Sequence, residues 1–587
     1  MDIKINPETF EVLKNTQIHI VREMGLVMQR ASFSVVFSEG LDFSCALYDE
    51  KGQMLAQAEN IPAHLGCQRL LTQNSLKEIG TENIEKGDIL LSNDSYFGGS
   101  HFPDLTLMKP IFYKDEFIAI SATLAHHTDV GGMVPGSFAS AATETFQEAL
   151  QIPPVKIVQK GEINNDVLNI IRRNVRLPEE VTADIKAQIA SINTGEKRLI
   201  RLIDKYGIET WKYFREELLN YSENRMRDGI STIPEGEYEF EDYMDNDGVT
   251  LRPYKIAVKT IVKKDRIICD FGKSDSQARG PINCPYAMTM SAVVAAVKSI
   301  ADPHSSANEG MFRPIEIITP KGSIVNPIRP APTTGGLGET SNRVAGVIWG
   351  SLAKAVPERS IACQGCSDNN LFISGIDPET NNLYILYDYP EVGWGARPFA
   401  DGVNAIYALH TGNVDNNLAE VYEHRWPVLV KQYSLRDGKG GEGKYRGGVG
   451  IIKEYTTWPP HKTTLSTMAD RTKFGAYGLK GGKTGATGKW SIITKDGKIK
   501  PMSKHGGKVT KLKLKSGDTL KLETPSGGGY GNPLERDPEE ILKDVKNDFF
   551  DIEYAKDKYS VIIDSHTFTI KKKETESIRN KLKSNKV

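Results

Sequence analysis

The stretch Asn93–Gly132, NDSYFGGSHFPDLTLMKPIFYKDEFIAISATLAHHTDVGG, organises the rest of the chain. Its polar side chains fall into two glycine-flanked clusters: Asp94, His101 and Asp104 in the first, and His126, His127 and Asp129 in the second. The apolar run from Phe117 to Ala125 predicts a buried strand that delivers His126 at its end. Because imidazole and carboxylate groups are good ligands for divalent metals, we predict a metal site at the mouth of a sheet.

The overall composition is that of an ordinary soluble globular protein, with 39% hydrophobic and 25% charged residues. The formal net charge of -1 gives no reason to expect a nucleic-acid or acidic-membrane partner. No stretch reaches the roughly 18 to 20 apolar residues of a membrane span, and the N-terminus lacks the pattern of a signal peptide. Six cysteines do not make a disulfide framework in so long a chain, so we expect a reduced, cytoplasmic protein.

The length of 587 residues exceeds the size at which a single hydrophobic core stops growing. Alternating runs predict antiparallel sheets, helical spacing predicts long helices, and the last third is glycine-rich and β-like. We therefore predict a multi-domain α+β fold. Its predicted regions are a metal-site α/β region (1–160), a helical segment (161–232), an α+β middle domain (233–430), a glycine-rich β domain (431–533) and a C-terminal helical and strand extension (534–587).

Two side chains outside the opening stretch allow two interpretations each. Glu39 follows the segment Ser32–Phe37, which we expect to be extended, and it is either a turn residue or a further metal ligand. His64 lies between a proline and a glycine in IPAHLG, which is typical of a loop–helix junction. It therefore serves either as a capping or structural residue or as part of the same site. The residues alone leave both choices open.

Two glycine-rich segments invite comparison with nucleotide-binding loops. Residues 335–338 precede a predicted helix, but the segment matches neither GxGxxG nor GxxxxGK[ST]. Lys483 and Thr484 fit the end of a phosphate loop, but Tyr477 stands where its first glycine belongs. We therefore predict no nucleotide or other cofactor loop in this chain.

Ten short segments agree, in order, with a known family. The most specific are NDSYFGGSHFPD and AHHTDVGG; the others are SEGLDFSCALYD, IPAHLG, NVRLPEEVTADIKAQIA, GPINCP, TTGGLGETSNR, VGWGARPFADG, YSLRDGKGGEGKYRGGVG and TPSGGGYGNP. Together they span nearly the whole chain and resemble the B-type chain of the hydantoinase/oxoprolinase family, whose relatives include subunits of acetone and acetophenone carboxylases. One departure is Ser95, which stands where the family usually has proline.

The resemblance implies a division of labour between two chains. A hydantoinase A-like partner with an actin/sugar-kinase fold binds ATP and phosphorylates an amide or enol oxygen. The B-type chain carries a divalent metal, Mn, Zn or Fe. Carried onto this sequence, the metal ligands would be Glu39, His101, Asp104 and His126. The further catalytic candidates are His127 or Asp129, which would hold His126 by a hydrogen bond, and Asp94, which would support the ligands or face the substrate.

Three functions compete on these grounds. The leading hypothesis is an ATP-dependent cyclic amidase, a hydrolase acting on hydantoin-, oxoproline- or lactam-like rings. The alternative is an ATP-dependent carboxylase that adds bicarbonate to a small ketone. A second alternative is a non-catalytic scaffold chain that docks the ATPase and binds no metal. A requirement for bicarbonate separates the two enzymes, and metal content separates both of them from the scaffold.

Overall fold

The computed structural model describes residues 5–457 and 463–584 and shows the α+β class predicted above. Its α-helices are α1 (Pro7–Ala31), α2 (Val35–Ser38), α3 (His64–Ile79), α4 (Asn165–Asn174), α5 (Pro178–Tyr206), α6 (Ile208–Ser231), α7 (Tyr286–Ala301), α8 (Asn342–Leu352), α9 (Ala419–Arg425), α10 (Pro538–Lys546), α11 (Ile552–Tyr559) and α12 (Lys572–Ser584). None of these helices combines the length and the apolar character that a membrane-spanning segment needs.

The β-strands of the described residues form four sheets. They are β1 (Phe43–Asp49), β2 (Met54–Gln57), β3 (Ile89–Ser92), β4 (Asp104–Tyr113), β5 (Glu116–His126), β6 (Val155–Gln159), β7 (Glu162–Ile163), β8 (Gly236–Met244), β9 (Tyr254–Lys263), β10 (Arg266–Asp270), β11 (Ile315–Ile318), β12 (Asn370–Ile376), β13 (Leu383–Asp388), β14 (Val428–Leu435), β15 (Ile451–Thr457), β16 (Thr463–Met468), β17 (Lys489–Ile493), β18 (Ile499–Pro501), β19 (Val509–Leu514) and β20 (Thr519–Glu523). The sheet orders are β2-β1-β5-β4-β3-β6-β7, β11-β10-β9-β8, β13-β12-β16-β19 and β14-β15-β20-β17-β18.

The first sheet is antiparallel throughout and contains the strand predicted from the opening stretch. Strand β5 forms a hairpin with β4, and its residues from Ile118 to His126 are all buried. They are buried because both faces of the sheet are covered. Helices α1 and α5 pack on one face, and the other face shares a core with α7, α8 and the second sheet. This double burial explains why β5 carries apolar residues on both faces, with Ser121 and Thr123 as the polar residues between them.

The third sheet and its flanking turns cover the end of the first sheet where β4 begins and β5 ends. Phe372 of β12 and Tyr387 of β13 belong to the same hydrophobic core as α1 and β5. The Tyr387 ring stacks on the ring of His126, with centroids 4.9 Å apart. Residues remote in sequence therefore close the site, while the division into five regions remains a prediction.

Glycine is required where the loops of the last third pass one another closely. A Cβ atom on Gly527 would lie 2.0 Å from the carbonyl oxygen of Trp394, a distance that no side chain can occupy. The loop after β20 thus packs directly against the loop around Trp394. The glycine-rich, β-like character predicted for this third of the chain is present as strands β14 to β20 joined by such loops.

Candidate metal centre

The hairpin of β4 and β5 brings three side chains to one point. Asp104, the first residue of β4, is the register partner of His126, the last residue of β5. Directly paired residues of an antiparallel sheet have Cβ atoms about 4.5–5.5 Å apart. The Asp104 N–H donates to the His101 carbonyl over 3.1 Å, and this turn folds His101 back toward the pair.

The three side chains meet through one atom each. His101 Nε2 lies 2.8 Å from Asp104 Oδ1 and 3.0 Å from His126 Nδ1, and His126 Nδ1 lies 2.9 Å from Asp104 Oδ1. All three residues are at most 2% exposed. Adjacent ligands of a divalent ion bound at about 2.1 Å are themselves separated by about 3 Å. Within the described residues, these three form the one His/Cys/Asp/Glu group whose donor atoms converge closely enough for a metal ion.

The hydrogen bonding of His101 indicates that the cluster needs a cation. Its Nδ1 lies 3.1 Å from the Thr334 carbonyl, and since a carbonyl only accepts, Nδ1 carries the proton. In the neutral ring, Nε2 then turns a lone pair toward Asp104 Oδ1, which is also an acceptor. A proton or a metal ion must lie between such groups. The donor set of two imidazoles and one carboxylate therefore fits a divalent metal.

The electrostatics of the triad agree with this interpretation. Burial raises the pKa of Asp104, but His101 and His126 outweigh burial, so that this pKa lies well below its usual value. Burial lowers the pKa of His101, but Asp104, the Thr334 carbonyl and Asp42 together raise it more, so that this pKa lies above its usual value. The carboxylate thus stays ionised in a buried place and attracts positive charge. A divalent ion would stabilise the ionised carboxylate of Asp104 by its positive charge, as a proton does.

His64 supports the triad from the side. It is the first residue of α3, its Nε2 lies 3.8 Å from Asp104 Oδ2, and its Nδ1 lies 2.9 Å from Ser44 Oγ. Burial lowers the pKa of His64 to about 4, so the ring is neutral at physiological pH. The Ser100 hydroxyl donates to the same carboxylate oxygen, Asp104 Oδ2. Of the two interpretations left open above, His64 lies at the site and does not cap the helix by a side-chain hydrogen bond.

Glu39 is not part of this cluster. Residues Val35–Ser38 form the short helix α2 where the sequence predicted extended chain, and Glu39 at its end is exposed. Because of the extra helical turn, the side chain of Glu39 points outward and that of Asp42 points inward. Asp42 lines the cavity, and its carbonyl accepts the His126 N–H over 3.1 Å. Burial raises the pKa of the Asp42 carboxyl to about 6, and His126 opposes that rise.

His127 points away from the triad, as alternation at a strand end requires. Its Nε2 lies 3.0 Å from Gln188 Oε1, and its ring meets Phe37 edge to face at 5.3 Å. Burial lowers the pKa of His127, so it remains a neutral packing residue. The structure shows no hydrogen bond between the described side chains of His127 and His126, so the predicted holding role of His127 is not seen.

Asp129 and Asp94 hold loops next to the site. Asp129 Oδ2 accepts from the Gly136 N–H and from the guanidinium of Arg176, both over 2.9 Å. Asp94 caps a short 3-10 helix by accepting from the Tyr96 N–H over 2.9 Å, and it lies 3.3 Å from Arg329. Neither side chain lines the cavity or bonds to His126. Their positions support a role in shaping the two loops that carry the triad.

A cavity of about 30 Å³ lies over the triad. Its wall combines the triad and His64 with two further carboxyls, neutral polar groups, tyrosines and aliphatic side chains: Asp42, Asp368, Asn370, Thr411, Tyr387, Tyr389, Tyr407, Ile61, Leu337 and Val414. A volume of this size holds about two water molecules. The arrangement can therefore hold a metal ion with its water and shield both from bulk solvent.

Asp368 is the functional candidate that the sequence reasoning missed. Its Oδ1 accepts from the Thr411 hydroxyl over 2.5 Å and from the Asn342 amide over 3.1 Å. Burial raises the pKa of Asp368 to about 7, where a carboxyl can both give and take a proton near neutrality. The sequence signal is slight: a polar SDNN segment directly before the apolar strand β12.

Comparisons with a family model and with known proteins give one consistent family assignment for the chain. Residues 6–533 match the family model described as Hydantoinase B/oxoprolinase. An uncharacterized protein from Methanocaldococcus jannaschii is 39% identical over 579 residues, which cover 97% of this chain and 99% of the relative. A protein named as the B-type chain of a D-/L-hydantoinase, from Pseudomonas sp. (strain NS671), is 35% identical over 581 residues, covering 95% of this chain and 96% of the relative.

Two solved structures share the fold. The ATP-dependent caprolactamase from Pseudomonas jessenii superposes with a TM-score of 0.90 and 28% identity, covering 98% of this chain and 100% of that one. A nucleotide-free acetone carboxylase superposes with a TM-score of 0.91 over 99% of this chain and 83% of that one. At 18% identity, the second likeness shows the fold alone. These matches confirm the resemblance drawn from the sequence motifs.

Proposed function

We propose that this chain, which belongs to the hydantoinase B/oxoprolinase family, is the metal-bearing B-type chain of an ATP-dependent cyclic amidase. The observation that carries the proposal is the buried convergence of His101 Nε2, His126 Nδ1 and Asp104 Oδ1. The likeness to a named hydantoinase chain and to an ATP-dependent caprolactamase supports cyclic amides as the substrate class.

The chain's own residues would hold the metal. His101, Asp104 and His126 supply three ligand atoms, and Asp42 takes the fourth place, for which the sequence motifs suggested Glu39. Mixed imidazole and carboxylate ligation suits Mn, Fe or Zn. When bound, such an ion lowers the pKa of water from about 15.7 to about 7 in favourable cases, which makes hydroxide available near neutral pH.

The ATP chemistry would belong to a hydantoinase A-like partner chain. An unstrained lactam resists hydrolysis because its nitrogen lone pair is delocalised into the carbonyl. Phosphorylation of the carbonyl oxygen by the partner removes this resistance. Water then adds to the carbon, the ring C–N bond breaks, and the nitrogen leaves as an amine. The acyl phosphate that remains is hydrolysed to a carboxylate and phosphate.

Residues of this chain would assist these reaction steps in three ways. The tyrosine and aliphatic wall excludes bulk water from the ring. Asn370 and Thr411 offer neutral hydrogen-bonding groups to the amide. Asp368 has its Oδ1 held by Thr411 and Asn342, which leaves Oδ2 to carry the proton that the departing nitrogen needs.

The second candidate is one chain of an ATP-dependent ketone carboxylase. The shared fold with acetone carboxylase favours it. The scaffold alternative predicts that the purified chain holds no metal. The three hypotheses therefore differ in the reactants that they require. The amidase needs a cyclic amide and water, the carboxylase needs a ketone and bicarbonate, and the scaffold needs no substrate.

The test is a substrate screen with the co-expressed A-like and B-like pair. We expect ATP-dependent ring opening without bicarbonate, which yields one amine and one carboxylate per lactam, or one ureido group and one carboxylate per hydantoin. Carbon gain from labelled bicarbonate, with no ring opened, would replace the amidase by the carboxylase. If the pair assembles, is purified without metal and catalyses neither reaction, the scaffold hypothesis is favoured.

A further inference from the structure

Glu148 is a buried acidic residue outside the triad and outside the cavity wall. Its side chain is fully buried, and among the described residues its hydrogen bonds all come from backbone N–H groups. The Thr333 N–H donates to both carboxyl oxygens over 2.9 Å, and the Thr334 N–H donates to Oε1 over 2.7 Å. A buried carboxyl is costly unless it is hydrogen-bonded. Glu148 is therefore tied to the turn that carries these two threonines.

The two threonines begin a long helical run. A 3-10 turn over Thr334–Gly336 continues into the π-helix Leu337–Ser341 and then into α8. The first N–H groups of a helix have no partner inside the helix, and the aligned peptide dipoles leave positive charge at that end. Glu148 supplies both the missing acceptor and the opposite charge. It caps the run from a position 185 residues before Thr333.

The same turn presents one carbonyl group to the triad. The Thr334 carbonyl oxygen lies 3.1 Å from His101 Nδ1 and accepts the proton of that nitrogen. His101 Nε2 is then the nitrogen that faces Asp104 Oδ1 at 2.8 Å. A carbonyl that holds the outer nitrogen of a metal-binding histidine fixes the tautomer and the orientation of the ring. Thr334 therefore binds Glu148 through its N–H group and His101 through its carbonyl group.

The loop after β5 fixes the position of Glu148 itself. The Leu150 N–H donates to the Val130 carbonyl over 2.9 Å. A Cβ atom on Gly132 would lie 2.0 Å from the Glu148 carbonyl oxygen, so the two segments are in backbone contact only because residue 132 is glycine. Since β5 ends at His126, the segment that carries Glu148 is anchored to the strand that supplies a second member of the triad.

We propose that Glu148 is a positioning residue of the metal centre, which holds the Thr334 carbonyl where it orients His101. The inference rests on the proposed function, because a metal ion is the ligand that the oriented imidazole would bind. Glu148 forms no hydrogen bond with the triad and acts through the backbone of Thr334. Loss of its carboxylate leaves buried N–H groups without an acceptor, so the turn shifts and His101 loses its hydrogen bond.

The first test compares Glu148→Gln and Glu148→Ala with the wild type at pH 8. Burial raises the pKa of Glu148 to about 7, so its carboxyl is ionised at this pH. Glutamine has the same size, but its amide turns N–H groups toward the Thr333 N–H. Titration of the isolated chain with Zn²⁺ and a competing chelator measures the Kd. We expect the Kd to rise about threefold in Glu148→Gln and about tenfold in Glu148→Ala, as for other groups that support a metal ligand.

A second measurement follows the hydrogen bond itself in the metal-free protein. NMR of the chain with ¹⁵N-labelled histidine reports the Nδ1–H proton of His101, which is identified by its absence from His101→Gln. In the wild type we expect a downfield signal that exchanges slowly with water, because this proton is buried and hydrogen-bonded. In Glu148→Gln we expect the signal to move upfield and to exchange faster. A weaker Zn²⁺ affinity with an unchanged signal would overturn the inference.

Glu144 provides the matched control. It lies four residues before Glu148 in the same segment, and its side chain is partly exposed. We expect Glu144→Gln to keep the Zn²⁺ Kd within twofold of the wild type and to leave the His101 signal unchanged. Equal effects of Glu144→Gln and Glu148→Gln would overturn the specific role of Glu148. Urea denaturation checks that each variant is folded, and Glu148→Gln carries the test if Glu148→Ala does not fold.

The two measurements separate this inference from the proposed function. If the wild type binds no Zn²⁺ but the His101 signal responds to Glu148→Gln, the metal-bearing role fails and the positioning of His101 by Glu148 stands. If the wild type binds Zn²⁺ and neither the Kd nor the signal responds to Glu148→Gln, the positioning role fails and the metal-bearing role stands.

Discussion

At the scale of single residues, the site depends on one carboxylate oxygen. His101 and His126 each turn one ring nitrogen toward Asp104 Oδ1, at distances of 2.8 and 2.9 Å. A buried anion that faces the lone pair of His101 Nε2 is stable only with a cation between them. Substitutions around this point therefore test the metal site more sharply than changes elsewhere in the cavity.

Asp42 and Glu39 form a matched pair for such a test. They lie three residues apart, but Asp42 lines the cavity and Glu39 is exposed. We expect Asp42→Asn to weaken metal affinity at least tenfold, because a charged ligand becomes neutral. We expect Glu39→Gln to leave metal affinity and turnover within twofold of the wild type. Metal titration with a competing chelator measures both, and loss of metal from Glu39→Gln would restore that residue to the ligand set.

His410 should make stability depend on pH. It is buried, and burial lowers its pKa to about 3. As pH falls below about 6.5, the unfolded chain takes up a proton that the folded chain refuses, so stability is lost. At pH 5 this loss amounts to about 2 kcal/mol for one such histidine.

The matching variant is His410→Phe, which removes the titrating group. Asp42 and Asp368 have raised pKa values and act in the opposite sense, so the expectation concerns the difference between variant and wild type. Urea denaturation at pH 7 and pH 5 should show that difference moving in favour of the variant on acidification. A difference that does not change with pH would contradict the buried neutral state of His410.

At the scale of elements, the sequence predicts the parts that local pattern controls. The run Phe117–Ala125, predicted as a buried strand, lies within β5. The triad could be proposed because its members lie on one hairpin and the loop before it. The extended conformation predicted before Glu39 was wrong, since the apolar residues Val35–Phe37 suggest a strand yet form a helical turn. A short apolar run does not distinguish a strand from a helical turn.

The π-helix Leu337–Ser341 sets the position of a cavity wall that lies far from the triad in sequence. A Cβ atom on Gly338 would lie 2.7 Å from both Asp368 Oδ2 and Asn370 Nδ2. We expect Gly338→Ala to displace both side chains and lower kcat/KM at least tenfold, with metal content unchanged. Steady-state kinetics and elemental analysis measure the two effects.

Gly346 provides the control on the following helix. Its added Cβ would meet Cys366 Sγ at 3.5 Å, an ordinary contact, so Gly346→Ala should stay within twofold of the wild type. Equal losses in both variants would show that the loss does not depend on Asp368 and Asn370.

At the scale of the whole molecule, the site joins distant parts of the chain. The first sheet supplies the triad, and residues 337–414 supply the opposite wall, including Asp368 and the three tyrosines. Spacing in the sequence carries no information about this closure, which explains why Asp368 escaped the sequence reasoning. The family match to residues 6–533 spans both parts, so the closed cavity belongs to the family-matched body of the chain.

The central claim is that His101, Asp104 and His126 hold one divalent ion in this chain. Its most direct test is elemental analysis of the isolated chain, purified without chelator, for the wild type and His101→Ala. We expect about one Mn, Fe or Zn per wild-type chain and at least a tenfold lower content in the folded variant. Equal metal content in the two proteins, or only trace metal in the wild type, would contradict the account.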